Sequence, residues 1–341
     1  MRARAFLSLL LALVAGPISA QSVDLTGAGA TFAYPMYSRW ISDYVAKVGI
    51  RINYQSIGSG GGIRQLSERT VDFGASDAPL TDAELAQLAE RRILHVPTVI
   101  GAVVAAYNLP GLRGKLKLSG PVLVDIYQGR ITKWNDSRIA ALNPGAKLPN
   151  RNILVVYRAD GSGTTYVFTD YLSTISPSWA RGPGKGMSVA WPVGIGGRGN
   201  EGVSGQVRQI LGAIGYMELT YAMQNNLTFA DVENAAGHFV TPNQASMTEA
   251  AAGAVRRMSG GDTRVSVVNA AGSGAYPITS YTWLLIDARM ANAAKAKKLA
   301  DFVRYALTDG QKVTTALHYA PLPSALVPPV LKQLDALTAA K

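Results

Sequence analysis

The 341-residue chain carries 33 Lys and Arg against 22 Asp and Glu, a formal net charge of +11, and no cysteine. Without cysteine there are no disulfides, thiolate metal sites or cysteine nucleophiles. His95, His238 and His318 have no metal-like spacing, so no metal or other cofactor is expected. The basic residues are scattered rather than striped, which disfavours a nucleic-acid surface.

Residues 1–20 read as a secretory signal peptide. Arg2 and Arg4 precede an apolar stretch, Ala5 to Ala15, that is too short to span a bilayer, and Pro17-Ile18-Ser19-Ala20 supplies a small-residue cleavage site before Gln21. No cysteine follows that site, so a lipid anchor on cysteine is not expected. Taking 20 from 341 residues leaves 321, and losing Arg2 and Arg4 lowers the charge from +11 to +9. A chain of that length suggests about two domains.

Short apolar runs then alternate with helical patterns. Leu25 precedes a Gly-rich turn, after which Tyr37, Trp40, Ile41, Tyr44 and Val45 share one helical face. Ile50 to Tyr54 reads as a strand, Ile57 to Gly62 as a turn, and Ile63 to Glu68 as the start of a helix. Val71 to Ser76 is a short strand ending at Asp77, and Val96 to Asn108 is a long buried strand. Ile153 to Val156 is another strand, leading through Arg158-Ala159-Asp160-Gly161-Ser162-Gly163-Thr164-Thr165 into a helix from Tyr166. Ile278 to Ile286 is a second long strand, and Lys295-Ala296-Lys297-Lys298 reads as the solvated face of a helix. This alternation predicts α/β layers. The two long strands predict two crossings between lobes: one lobe of residues 21–108 plus 277–341, the other of residues 109–276, with a hinged cleft between them.

Three segments share one plan, in which a strand leads through a Gly, Ser or Thr turn to a helix start: Gly27 to Phe32, Gly58 to Gly62 and Gly161 to Thr164. Helix N-termini present free N–H groups and favour anions. Glycine lets the backbone approach a ligand, and Ser and Thr hydroxyls cap the helix or donate to the anion. Arg158 adds a planar fork of donors, and Asp160 would hold that fork in one orientation. Asp77, if ionised, only accepts hydrogen bonds. In an anion site it demands a ligand that carries a proton, as hydrogen phosphate does and sulfate does not.

Enzyme motifs are missing. There is no Gly-x-Ser-x-Gly elbow, no His-Glu-x-x-His and no Gly-x-x-x-x-Gly-Lys-Ser/Thr phosphate loop.

These residues resemble the periplasmic phosphate-binding proteins of bacterial phosphate ABC transporters. The resemblance lies in Leu25 to Phe32, Asn53 to Gly62, Val71 to Pro79, Pro97 to Gly101, Arg158 to Thr164, Gly196 to Asn200 and Gly212 to Tyr216, and it covers nearly the whole chain after residue 20. It implies a type II periplasmic binding-protein fold, two α/β lobes with the ligand in the cleft. It also implies a non-enzymatic, exported, periplasmic solute-binding protein that captures inorganic phosphate as a monomer and delivers it to an inner-membrane ABC permease with its ATPase subunits. Carried over residue by residue, the phosphate ligands are Thr31, Phe32, Ser59, Asp77, Arg158, Ser162, Gly163 and Thr164, with Ala30 and Asp160 in support. Gly60 replaces a common second serine, and Ala33-Tyr34 replaces a common Pro-Ala. Another protonated oxyanion such as arsenate, or an exported phosphohydrolase using the same cleft, remain the alternatives.

Overall fold

The computed structural model describes residues 25–258 and 260–338. The expected signal peptide, residues 1–20, lies outside them. The strands in chain order are β1 (Leu25–Gly29), β2 (Ile52–Ser56), β3 (Phe73–Ser76), β4 (Ile93–Tyr107), β5 (Lys117–Leu118), β6 (Leu154–Arg158), β7 (Ile195–Gly197), β8 (Ala213–Glu218), β9 (Thr228–Phe229), β10 (Asp231–Glu233), β11 (Phe239–Val240) and β12 (Thr279–Asp287). Among the described residues, nine of them form one sheet in the order β2-β1-β3-β12-β4-β8-β6-β7, with β9 also on β4; β11, β10 and β5 form a small separate sheet.

β4 is the strand that both halves of the large sheet share. Its residues Ile93 to Ala102 pair antiparallel with β12, and Val103 to Tyr107 pair antiparallel with β8. Every residue of β4 after Ile93 is buried, which is why it reads in sequence as an unbroken apolar run. On one side β1 lies parallel to β2 and β3; on the other, β6 lies parallel to β7 and β8. These parallel pairs are joined by helical crossovers, and the helices bury the sheet faces.

The register slips between Thr282 and Trp283, where Thr282 pairs with Val99 but Trp283 with Pro97. Thr98 is the extra residue. Proline cannot donate to a ladder and is tolerated at such a bulge. Bulges re-aim neighbouring side chains, and here the Thr282 hydroxyl is turned onto Asp77 at 2.7 Å.

Two aromatic clusters anchor the halves. Tyr37 packs against Trp40 and edge-on against Tyr54, which in turn stacks on Phe73. In the other half Trp191 and Phe168 both stack on Tyr216, and Tyr127 meets Phe168 edge-on. In the basic cluster near the C-terminus, Lys297 lies on a solvated face as expected, with its side chain 71% exposed, whereas Lys295 is turned inward. Lys295 forms an ion pair of 2.9 Å with Asp72, a residue that also accepts the backbone N–H of Thr26 at 2.8 Å. The cation therefore ties the Ala293–Leu307 helix to the start of β1.

The Ser59–Ser67 helix sits tightly on β1 because Gly62 has no side chain: a Cβ there would lie 2.5 Å from both the Ala28 carbonyl oxygen and the Gly29 Cα. We expect Gly62→Ala to destabilise the protein by about 1–3 kcal/mol, the usual cost of overpacking, read as a lower urea midpoint. An unchanged midpoint would show that the helix has room to shift.

Candidate functional site

The three predicted turns converge. Each delivers a helix start or a tight turn to the junction between the two halves of the sheet.

The first turn, Ala30 to Phe32, follows β1 and precedes the Tyr34–Val48 helix. Its three consecutive carbonyls are each taken by a tyrosine hydroxyl from a different part of the chain. Tyr54 donates to Ala30 at 2.8 Å, Tyr221 to Thr31 at 2.7 Å and Tyr319 to Phe32 at 2.6 Å. With the carbonyls held, the N–H groups of Thr31 and Phe32 are fixed on the opposite side of their peptide planes.

The second turn opens the Ser59–Ser67 helix. Its N-cap is Gly58, at φ 88°, a left-handed conformation that glycine adopts without strain. A side chain at Gly58 would also strike the Asp160 carboxylate. Ser59 is fully buried and its Oγ accepts the N–H of Asp77 at 3.2 Å.

The third turn opens the Gly163–Ile175 helix, capped by Ser162, whose Oγ accepts the Thr165 N–H at 3.0 Å. That bond uses an oxygen lone pair and leaves the hydroxyl hydrogen of Ser162 free to donate. Gly163 packs directly on the facing wall: a Cβ there would run into Ser59 Oγ and Asp77 Oδ2. Among the described residues, the N–H groups of Thr31, Phe32, Ser59, Gly163 and Thr164 have no backbone partner outside their own helices.

Arg158 ends β6 with its side chain 1% exposed, and is gripped by Asp160 through Nε at 2.8 Å and Nη2 at 2.5 Å. Its Nη1 reaches Thr164 Oγ1 at 3.3 Å, and its own N–H donates to Tyr216 Oη at 3.0 Å. Burial raises the Asp160 pKa, but the bonds from Arg158 and from the Gly199 N–H outweigh it and hold the carboxyl below its ordinary value. The two-residue spacing predicted this pair, and it is present.

Asp77 follows β3 and is 1% exposed. Burial raises its pKa from 3.8 to about 7, against the opposing effects of the Thr282 hydroxyl, the Arg158 charge and the Ser59 hydroxyl. A cavity of about 130 Å³ adjoins it, lined also by Tyr166, Asp170, Lys185, Arg264 and Trp283.

The two walls are in contact. Gly60 N–H donates to Gly161 O at 2.9 Å, and Asn200 Nδ2 donates to Thr31 Oγ1 at 2.7 Å and to Thr164 Oγ1 at 3.2 Å. All ten residues singled out in the sequence thus lie in one buried cluster, except that Asp160 is only partly covered.

Sequence reasoning did not single out Asn200, Thr282, Tyr221, Tyr319 or Glu218. Asn200 had a signal: Gly197-Arg198-Gly199-Asn200 is a fourth glycine turn opening a helix, Gly199–Gln209. The others lie in apolar runs or near the C-terminus and carry no local mark.

Residues 15–309 match the PBP superfamily domain. The chain is 46% identical over 322 residues to the phosphate-binding protein PstS of Xylella fastidiosa strain Temecula1, covering 94% of this chain and 86% of that one. It is 45% identical over 315 residues to the phosphate-binding protein PstS of Haemophilus influenzae, covering 92% and 93%. Among solved structures it resembles a high-affinity periplasmic phosphate-binding protein, PfluDING, determined with phosphate bound. The TM-score is 0.73 at 23% identity, over 90% of this chain and 93% of that one.

A carboxyl whose pKa rises on folding, from 3.8 to about 7, stabilises the fold fully below 3.8, and that contribution is lost as pH rises through about 7. Asp77→Asn keeps the shape and removes the charge. In phosphate-free buffer we expect the variant to be more stable than wild type above about pH 7, with the difference shrinking as pH falls toward 3.8. Urea unfolding across that range measures it; a difference independent of pH would show that Asp77 does not titrate there.

Proposed function

The chain belongs to the PstS phosphate-binding proteins of the PBP superfamily and has the type II periplasmic binding-protein fold, and on that premise we propose that it captures inorganic phosphate for an inner-membrane ABC permease. The observation that carries this reading is the convergence of three donor-rich turns on one buried carboxylate, Asp77.

Thr31 and Phe32 would bind the anion through backbone N–H groups and the threonine hydroxyl, and Ser59 through its helix start. Arg158, Ser162, Gly163 and Thr164 would donate from the other wall. Asp77 Oδ1 already accepts from Thr282, so its Oδ2 is the oxygen left to accept the ligand's proton. The bound anion would sit where Gly163 approaches Ser59 and Asp77, so opening the walls is required to admit it. We place the lobes at residues 21–108 with 277–341, and 109–276. The hinge would lie where β4 changes partner, between Ala102 and Val103, and where the chain returns into β12. The protein would act in the periplasm, as a monomer without a cofactor, after removal of residues 1–20.

We read the site as a binder and not as a hydrolase. Ser162 Oγ accepts the Thr165 N–H, and among the described residues it makes no hydrogen bond to a histidine or carboxylate that could activate it. An arsenate ion that carries a proton would satisfy Asp77 equally.

The scale is consistent with scavenging. The best small ligands gain about 1.5 kcal/mol per heavy atom, so the five atoms of phosphate reach about 7.5 kcal/mol, near micromolar affinity. Calorimetry on the purified protein should show phosphate binding at micromolar affinity or tighter, and sulfate weaker by roughly 10⁴-fold or more at alkaline pH, since a mismatched buried acceptor discriminates on that order. Equal affinities there would overturn the reading.

The pKa of Asp77 adds a pH dependence. Once protonated, Asp77 becomes a donor and can satisfy sulfate. Sulfate rejection should therefore weaken as pH falls through about 7. Asp77→Asn, a permanent donor, should bind sulfate throughout. Rejection that stays constant through that range would separate selectivity from Asp77.

A further inference from the structure

Glu218 ends β8 opposite Val103, at the point where β4 passes from one half of the sheet to the other. It is fully buried. The groups that face it come from three elements: Thr220, whose N–H donates to Oε2 at 2.8 Å, with the Tyr221 phenol on the same helix coupled to it through charge; Tyr319, whose hydroxyl lies 3.2 Å from the same oxygen; and the Asp77 carboxyl, which acts on it through its charge. Its Oε1 is buried with no hydrogen-bond partner among the described residues. None of these groups is a cation, and a buried carboxylate without one is costly.

Counting hydrogens decides the matter. The Tyr319 hydroxyl has one hydrogen. It lies 2.6 Å from the Phe32 carbonyl oxygen, which can only accept, so the hydrogen belongs to that bond. The contact between Tyr319 Oη and Glu218 Oε2 then needs a hydrogen of its own, and an ionised carboxylate has none.

We infer that Glu218 is a neutral positioning residue of the binding site, which donates its carboxyl hydrogen to Tyr319 and so leaves the tyrosine's own hydrogen for the Phe32 carbonyl. Burial, with the Asp77 charge adding to it, raises the Glu218 pKa well above its ordinary value against the bonds from Thr220 and Tyr319. The same residue fixes the second wall: its backbone N–H donates to Asn200 Oδ1 at 3.0 Å, which orients the Asn200 amide toward Thr31 and Thr164. A neutral Glu218 also keeps a second negative charge away from the anion site. Ionising it would set two acceptors against each other and draw the Tyr319 hydrogen off Phe32. The inference rests on the phosphate-binding reading for its functional consequence, but not for the proton itself.

Two measurements test it. In ligand-free protein at neutral pH, the infrared spectrum of wild type minus that of Glu218→Gln should contain the carbonyl stretch of a protonated carboxyl; Asp77 is present in both proteins and cancels. Phosphate titration should then show Glu218→Ala weakened roughly tenfold, on the scale of one lost buried hydrogen bond. Glu218→Gln, whose amide nitrogen can donate to Tyr319 but cannot also accept the Thr220 N–H that Oε2 takes, should recover part of the affinity that Glu218→Ala loses. As pH rises into the alkaline range, wild type should lose affinity that Glu218→Gln keeps. The absence of the infrared band, meaning an ionised Glu218 sharing the tyrosine hydrogen, would overturn the inference. So would a Glu218→Gln variant whose phosphate affinity falls with pH as the wild type's does. If Glu218→Ala does not fold, the comparison of wild type with Glu218→Gln still decides. A band without any phosphate binding would refute the proposed function and leave the proton in place.

Discussion

The burial of Asp77 is the constraint around which the rest is arranged. A carboxylate that is 1% exposed has lost its water, and only hydrogen bonds or a nearby positive charge can offset that loss. The fold supplies both from distant parts of the chain. Thr282 is aimed by the bulge at Thr98 in the facing strand β4, Ser59 by the start of a helix, and Arg158 by the end of β6. These are enough to leave the pKa near neutrality instead of far above it. In the proposed binding mode the second oxygen, Oδ2, would take the proton that the ligand brings. A site built in this way would select its ligand by protonation state, a property that neither charge nor size can read.

The second requirement is that the donors do not move. Three phenol hydroxyls hold the three carbonyls from Ala30 to Phe32, and they come from β2, from the Leu219–Gln224 helix and from the segment after residue 317. One turn is therefore clamped from three widely separated parts of the chain. Asn200 adds a link between the walls through Thr31 and Thr164. Opening of the proposed cleft would break that link and the Tyr221 bond to Thr31, while leaving the carbonyl clamps of Tyr54 and Tyr319 intact. Preorganised N–H groups favour the anion without reorganisation when it arrives.

The legible part of this site is the part written locally. A Gly-Ser-Gly-Thr turn between a buried strand and a helix announces an anion cradle because glycine, hydroxyl and helix start are neighbours in sequence. Arg158 and Asp160 are two residues apart, so their pairing could be anticipated. Thr282 could not be placed, because only the bulge at Thr98 on the facing strand turns its hydroxyl toward a residue 205 positions away. Tyr319 and Phe32 are separated by 287 positions; in sequence Tyr319 is just an apolar residue near a proline. The α/β alternation and the two long strands were legible from apolar runs. The point at which β4 changes partner, between Ala102 and Val103, was not, because both of its halves are equally buried. Leu25–Gly29 shows the limit of composition: three of its five residues are Gly or Ala, so it reads as a turn although it is a paired central strand.

Net charge is a poor guide to how this site works. The chain is strongly basic, yet Arg158 is the sole basic residue among those assigned to the site, and Asp160 already pairs with it through two bonds. With Asp77 present as well, the assigned side chains carry at least as much negative as positive charge when ionised. At the proposed site, what would attract the anion at contact distance is therefore the set of backbone and hydroxyl dipoles at the three turns, in a volume from which water is excluded. The scattered lysines and arginines outside act at longer range and are screened by salt. It follows that ionic strength should act mainly on how fast the anion arrives, while its retention depends on a hydrogen-bond count that salt does not alter.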